Sequence, residues 1–202
     1  MINIRETFGE IDIYLFDQIL KERFDAGSSI LDAGCGGGRN LVYFLRNDYK
    51  VFGVDQNQKA IEHVRLLAKT LAPQLPPANF QIAPVEKLPF AGASFDAVIS
   101  SAVLHFAESE QHFFGMIAEM WRVLKSGGLF FARLASSIGI EDKIKLVGDG
   151  RYHLPDGSER FLVDEESLVS LTNQLGAIWI EPLKTTNVQN LRCMTTWVLR
   201  KS

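Results

Sequence analysis

Asp32 stands two residues ahead of Gly34, and Gly36 and Gly38 follow, all within Ile30-Leu31-Asp32-Ala33-Gly34-Cys35-Gly36-Gly37-Gly38-Arg39. Glycine at this density lets backbone take positive φ, or come close to a ligand, where a Cβ would clash. The stretch predicts a buried strand over residues 29–32, a glycine loop, and a helix opening near Asn40 with Leu41, Phe44 and Leu45 on one face. Such a unit aims backbone N–H groups over the strand end, so the expected occupant is a nucleotide-like cofactor. Spacing narrows the choice. The dinucleotide fingerprint G-x-G-x-x-G has its third glycine where this chain has Arg39. A pyrophosphate would be repelled by Asp32, whereas a ligand carrying an ammonium group would be attracted.

Further along, Asp55 ends the apolar run Lys50–Val54, near the interval at which nucleotide folds place a ribose-binding carboxylate, and Gln56 follows it. An ionised carboxylate can accept from both vicinal hydroxyls, and charged acceptors make the stronger bonds. A short strand over 79–83 leads to Pro84-Val85-Glu86-Lys87-Leu88-Pro89-Phe90. A fourth strand, 93–101, leads to His105. Open parallel sheets bind ligands beyond the carboxyl ends of their strands, the edge where Ser100, Ser101 and His105 fall. His105 could serve as a base or orienting group, since its charge can change near neutral pH, or simply pack and donate to backbone. Arg133, at the exit of the fifth strand (129–135), either pairs with an acid or holds an anionic substrate.

The remaining elements must position these residues. Residues 1–26 carry Ile11, Leu15, Phe16, Ile19, Leu20 and Phe24 at helical spacing, predicting a leading helix that packs or covers the cleft with Tyr14 and Asp17. Asn57 and Ser109 are placed to cap helices. The second of these is predicted to turn Phe113, Phe114, Ile117, Met120, Trp121 and Leu124 inward and to stop at Gly127-Gly128. Residues 136–163, with the turn Pro155-Asp156-Gly157, read as a substrate wall or lid offering Arg151, Tyr152 and His153, or equally as a surface hairpin. Asp164 caps a last helix, and residues 177–181 and 192–199 close the chain as an antiparallel pair joined by 185–189. Five strands alternating with helices predict an α/β sandwich with a mainly parallel sheet.

Composition bounds the reading. One domain is the expectation for 202 residues that are 47% hydrophobic and 22% charged. A net charge of −3 gives no global basic field to attract nucleic acid or anionic membrane. Cys35 and Cys193 belong to no zinc-like pair, and neither a signal pattern nor a membrane-length apolar run is evident. The expectation is a cytoplasmic monomer or homodimer acting on a small molecule, without a metal.

The acid-x-G-x-G-x-G loop, Asp55, the Leu88-Pro89-Phe90 segment, the fourth strand with His105, and Val123-Leu124-Lys125-Ser126-Gly127-Gly128 together resemble class I S-adenosylmethionine-dependent methyltransferases of the small, single-domain kind. That resemblance implies a Rossmann-like, doubly wound, seven-stranded sheet, mainly parallel with an antiparallel C-terminal strand. It also implies S-adenosyl-L-methionine as cofactor, leaving as S-adenosyl-L-homocysteine. Carried onto this chain, Gly34, Cys35, Gly36 and Gly38 would admit the methionine part and Asp32 would orient its ammonium. Asp55 with Gln56 would hold the ribose, Val85 and Glu86 the adenine, and Ser100 and Ser101 would meet the cofactor. One departure is Pro84, which occupies the place where the family often has the acid that accepts from the adenine amino group. The implied chemistry is in-line methyl transfer. An alcohol or amine acceptor would need a base; a thiolate or metalloid oxyanion would not, and no residue close to His105 in sequence completes a dyad. A catalytically idle cofactor-binding scaffold and a nicotinamide oxidoreductase are the alternatives.

Overall fold

A computed structural model describes residues 3–202. Met1 and Ile2, inside the expected leading helix, lie outside the described residues. Two short helices, α1 (Ile4–Phe8) and α2 (Ile13–Leu20), replace the single helix expected over 1–26. Gly9 breaks the run at φ 66°, where the missing Cβ makes room for Val42, and Asp12 starts α2 by accepting from the Tyr14 N–H. The chain then alternates through β1 (Ser29–Ala33), α3 (Val42–Arg46), β2 (Lys50–Asp55), α4 (Gln58–Leu71), β3 (Phe80–Ile82), β4 (Phe95–Ser101), α5 (Glu110–Val123) and β5 (Leu124–Ser136). A small group, β6 (Lys145–Gly148), β7 (Arg151–His153) and β8 (Glu159–Phe161), precedes α6 (Glu165–Gln174), β9 (Ile178–Trp179), β10 (Lys184–Val188) and β11 (Arg192–Arg200).

The main sheet has eight strands in the order β10-β11-β5-β4-β1-β2-β3, with β9 also on β11. β1, β2, β3, β4 and β5 run parallel to one another, and β11 pairs antiparallel with β5, β9 and β10. The seven expected strands are present, the sixth cut to the two residues of β9, which pairs antiparallel with β11 as expected, and β10 adds an eighth. Chain order reverses between β1 and β4, which opens a crevice beyond their carboxyl ends, just where the glycine loop and His105 leave the sheet. Alternation along each strand fills both layers. Leu31, Val98 and Phe130 face α5, with Phe113, Met116 and Met120, whereas Ile30, Ile99 and Phe131 share the opposite layer with Leu15, Phe44, Ile61 and Val64.

Local chemistry explains where the expectations held. Asn57 accepts from the Lys59 and Ala60 N–H groups, Ser109 accepts from His112, and Asp164 and Ser167 form a capping box. It also explains the differences. Helix α5 ends at Val123 rather than at the glycines, because Lys125–Gly128 form a bulge at the start of β5, with Gly127 at φ 77°. Phe114, expected inside, is 49% exposed, and Met116 takes its place in the buried stripe. Residues 185–188, expected as a connection, extend as β10, in keeping with their threonines and valine. The turn between the paired Val188 and Arg192 runs through Gln189, Asn190 and Leu191, with Gln189 and Asn190 both at positive φ and Leu191 N–H donating to the Val188 carbonyl. Residues 136–163 are neither bare loop nor single hairpin but close on themselves as the three-stranded β6-β7-β8 sheet.

Glu181 ties α2 to the sheet. Its carboxylate is buried among Lys21, Arg23 and Lys184 and accepts from Gln18 at 3.3 Å. Burial alone would raise its pKa. The hydrogen bonds from Lys184 and Lys21, with the Arg23 charge, outweigh that and hold it at about 2. A depressed carboxyl stabilises the fold above its ordinary value of 4.5 and loses that contribution as pH falls towards 2. Glu181→Gln is therefore expected to be less stable at neutral pH and to lose less stability than wild type between those pH values, as read by urea unfolding at stepped pH. Parallel stability–pH curves would contradict this.

Candidate active site

The loop after β1 is held by its own backbone. Gly34 and Cys35 N–H both donate to the Val54 carbonyl, Gly38 N–H donates to Cys35, and Gly36 N–H donates to Asp55 Oδ2 at 2.9 Å. These N–H groups, expected to point at a ligand, instead fix the loop. The three spaced glycines do different work. Gly34, at φ 85°, leaves room for Val103, whose Cγ2 would stand 2.4 Å from an added Cβ. Gly38, also at φ 85°, makes way for Val64 and Leu67 of α4. At Gly36 an added Cβ meets nothing within 4 Å, so it would project into open space. That space is the meeting of two cavities.

The first, about 500 Å³, runs from Gly34 to Asn40 and is closed by Glu10, His63, Leu67 and Ser101. The second, about 490 Å³, lies beyond β2 and β3. Its walls carry Asp55, Gln56, Asn57, Pro84, Val85 and Glu86 on one side, with Val103, Phe106, His112 and Met116 on the other. Both include Gly34, Gly36 and Ala102. Asp55 accepts one backbone N–H on each oxygen, from Gly36 and from Asn57 at 2.8 Å, and so retains acceptor capacity on both. Glu86 Oε2 stands 3.3 Å from His112 Nε2.

Behind the loop Asp32 is 1% exposed, and neither carboxylate oxygen has a partner. Burial raises its pKa to about 7, with the Asp55 charge adding to this and Arg39 opposing it. It is not itself on a cavity wall. Cys35 lies on the first wall, but its thiol packs against Gly53 and is pushed up by burial and then by the charges of Asp32 and Asp55.

A third cavity, about 270 Å³, opens on the other side of Ala102. It is lined by His105, Arg133, Leu154, Asp156, Ser158, Arg160 and Arg192 among others. His105 is 7% exposed and its Nδ1 has no partner. Burial and the nearby Arg160, Arg133 and Arg192 charges lower its pKa to about 4, so the ring is neutral at pH 7. Ala102 touches all three cavities and sits at φ 63°, a conformation costly for a residue with a Cβ.

Several sequence-predicted residues fall elsewhere. Ser100 is fully buried and lies on none of the three walls. Arg151 is paired with Glu159 and donates to the Ala107 carbonyl, Tyr152 packs with Ala135 and Leu154, and His153 is solvent-exposed. The segment 136–163 does reach the site, but through Leu154, Asp156, Ser158 and Arg160. Tyr14 lies under the Arg133 guanidinium, 5.1 Å from it, and its hydroxyl meets Thr186. Arg160 and Arg192 carry no signal in the sequence, and neither does the role of Asp12. Buried at the start of α2, Asp12 joins Arg133 (3.0 Å), Ser101 (3.4 Å) and Arg39 (4.0 Å), and its N–H donates to Asn40. A lone acid ahead of an amphipathic run signals a helix cap, and nothing local announces its distant arginines. Among the described residues no group of three or more His, Cys, Asp or Glu could hold a metal ion, and no helix is long and apolar enough to cross a membrane.

A mainly parallel sheet with its crevice at the β1–β4 switch point, a glycine loop and an acid at the end of β2 define a nucleoside-cofactor fold. Residues 31–132 match the methyltransferase-domain family model, and the chain belongs to that family. An uncharacterized methyltransferase of Synechocystis is 34% identical over 104 residues, which is 52% of this chain and 45% of that protein. The chain thus spans about half the length of this curated relative. Among solved structures, a Burkholderia thailandensis 1,6-didemethyltoxoflavin-N1-methyltransferase with bound 1,6-didemethyltoxoflavin and S-adenosylhomocysteine superposes with TM-score 0.70 at 20% identity, covering 91% of this chain and 75% of that one. The [4+2]-cyclase SpnF gives 0.72 at 18%, covering 98% and 88%. These likenesses establish the fold; a cyclase on the same fold means that fold alone does not fix the reaction.

The glycine geometry separates stability from cavity shape. Gly38→Ala, forced against Val64, is expected to lose more thermal stability than Gly36→Ala, whose Cβ meets only open space. Differential scanning calorimetry of the two variants checks this, and equal losses would contradict it.

Proposed function

We propose that this chain binds S-adenosyl-L-methionine across the first two cavities and transfers its methyl group in line to a small-molecule acceptor in the third. The observation carrying this reading is the junction at Ala102, where a two-lobed crevice and a separate cavity meet, as a transfer between two bound molecules requires. The residues fit such a cofactor. Asp55 has acceptor capacity for ribose hydroxyls, Gly36 leaves a cradle that a Cβ would fill, and buried Asp32 lacks the positive partner that an ammonium would provide. Pro84 offers adenine neither an N–H nor a side-chain acceptor, so its recognition falls to Val85 N–H and Glu86. Bound there, the cofactor supplies a methyl group already activated on a sulfonium.

The chain's own part is position, dryness and one proton. Asp12 anchors Arg133, while Ser101 and Arg39 hold the outer wall of the loop. His105, neutral at pH 7 and with its Nδ1 unpartnered, can orient an O–H or N–H acceptor and take the proton that this group sheds as it gains the methyl; with its pKa lowered to about 4 it is too weak a base to ionise an alcohol beforehand. A catalytically idle scaffold is the second reading, favoured by Pro84.

Calorimetric titration with S-adenosylmethionine and with NAD, followed by assay of S-adenosylhomocysteine from phenols, amines and thiols, separates these readings. Specific S-adenosylmethionine binding with product formation is expected. Asp55→Ala should weaken binding by about 1–3 kcal/mol, roughly 5- to 150-fold. His105→Gln should bind cofactor normally but slow turnover of O–H and N–H acceptors. Binding of NAD instead would defeat the proposal, and cofactor binding with no turnover of any acceptor would favour the scaffold.

A further inference from the structure

The third cavity has a charge unlike that of the rest of the molecule. The chain as a whole carries −3, yet this cavity places Arg133, Arg160 and Arg192 against one carboxylate, Asp156. The three arginines come from different parts of the fold: β5, β8 and the first residue of β11. All three lie outside the stretch 31–132 that matches the family model. Their positive charge is only partly answered by the protein. Arg133 is committed to Asp12 through Nη1, but its Nε is buried with no acceptor. Arg192 stands 3.9 Å from Asp156, whose carboxylate already accepts from the Ser158 N–H and hydroxyl. Arg160 has no carboxylate partner among the described residues. It donates to the Glu159 carbonyl and lies over the Phe106 ring at 5.0 Å.

Converging cations around about 270 Å³, with apolar Leu154 and Met194 on the same wall, suit a small ligand with one anionic end and a carbon body. Guanidinium groups bind carboxylate and phosphate oxygens through paired N–H donors, and such charge-assisted bonds strengthen when partly shielded from water. A neutral ligand would leave these donors unanswered, and a cationic one would be repelled. His105 shares the wall beside Ala102, the side on which the cofactor crevice adjoins.

We infer that the acceptor is a small molecule bearing a carboxylate or phosphate-type oxyanion, which Arg160 and Arg192 grip with Arg133 behind them. The nucleophilic atom then lies towards His105 and Ala102. This rests on the proposed methyl-transfer reading for the word acceptor, but the anion site can be tested without turnover. Wild-type protein would be titrated with benzoate, inorganic phosphate and neutral benzamide, following the His105 imidazole resonance, assigned through His105→Asn. The anions should shift that resonance saturably and benzamide should not. Arg160→Gln and Arg192→Gln should each weaken anion binding at least fivefold, and the double variant should abolish it, while a Lys at either position retains part of it. Tighter benzoate than phosphate binding would assign a carboxylate, and the reverse a phosphate. Benzamide binding as tightly as benzoate, or arginine variants binding anions like wild type, would overturn the inference. Titration of the wild-type protein with S-adenosylmethionine reports on the methyltransferase reading independently, so failure of one is distinguishable from failure of the other.

Discussion

A carboxylate with no partner, sealed behind the first strand, is the constraint around which the site is arranged. Removing an ionised group from water costs several kcal/mol unless a cation or hydrogen-bond donors compensate; Asp32 has no donor in the protein itself, and the Arg39 charge offsets only part of the cost. Its raised pKa expresses that cost: the side chain holds a proton until about pH 7, and burial is the main cause. A fold keeps such a group at a strand end either by leaving it protonated or by receiving a positive ligand beside it. The loop above it is fixed by four of its own N–H groups, those of Gly34, Cys35, Gly36 and Gly38, which donate to Val54, Cys35 and Asp55.

From that strand end the site extends in two directions. Towards β2 and β3, Asp55 joins the loop to the second cavity, so one carboxylate fixes Gly36 and still has capacity for a sugar. Towards β5 and β11, Ala102 in its strained conformation leads to the arginine-lined cavity. Asp12 stitches the N-terminal helices to this junction through Arg133, which places α2 as a structural wall of the site rather than a loose cover.

Much of this was legible in sequence for identifiable reasons. Periodicity and caps located β1 to β4, α4, α5 and α6, because Asn57, Ser109 and Asp164 act on their own helices. The glycine loop and Asp55 could be read because spacing there encodes contact between adjacent strands. Contacts between distant segments could not be read. Asp12 with Arg133, or Arg160 with Arg192, are brought together only by the fold, and no local pattern marks them. Residues 151–153 are polar and aromatic but lie in β7, whereas the side chains of segment 136–163 that line the cavity are Leu154, Asp156 and Ser158 of the turn after it and Arg160 of β8. Gly127-Gly128 looked like a helix stop and serves instead as a bulge at the start of β5, a distinction that depends on the register with β4.

The most direct test of the central claim is proton release. An ammonium placed near Asp32 favours its ionised form and so lowers its pKa, which means that below pH 7 binding must expel a proton. Isothermal calorimetry of S-adenosylmethionine at pH 6, in buffers of different ionisation enthalpy, should show release of about one proton per cofactor in wild type and none from this source in Asp32→Asn. Binding whose enthalpy is the same in every buffer would mean that Asp32 does not face the charge of the ligand, and would contradict the account.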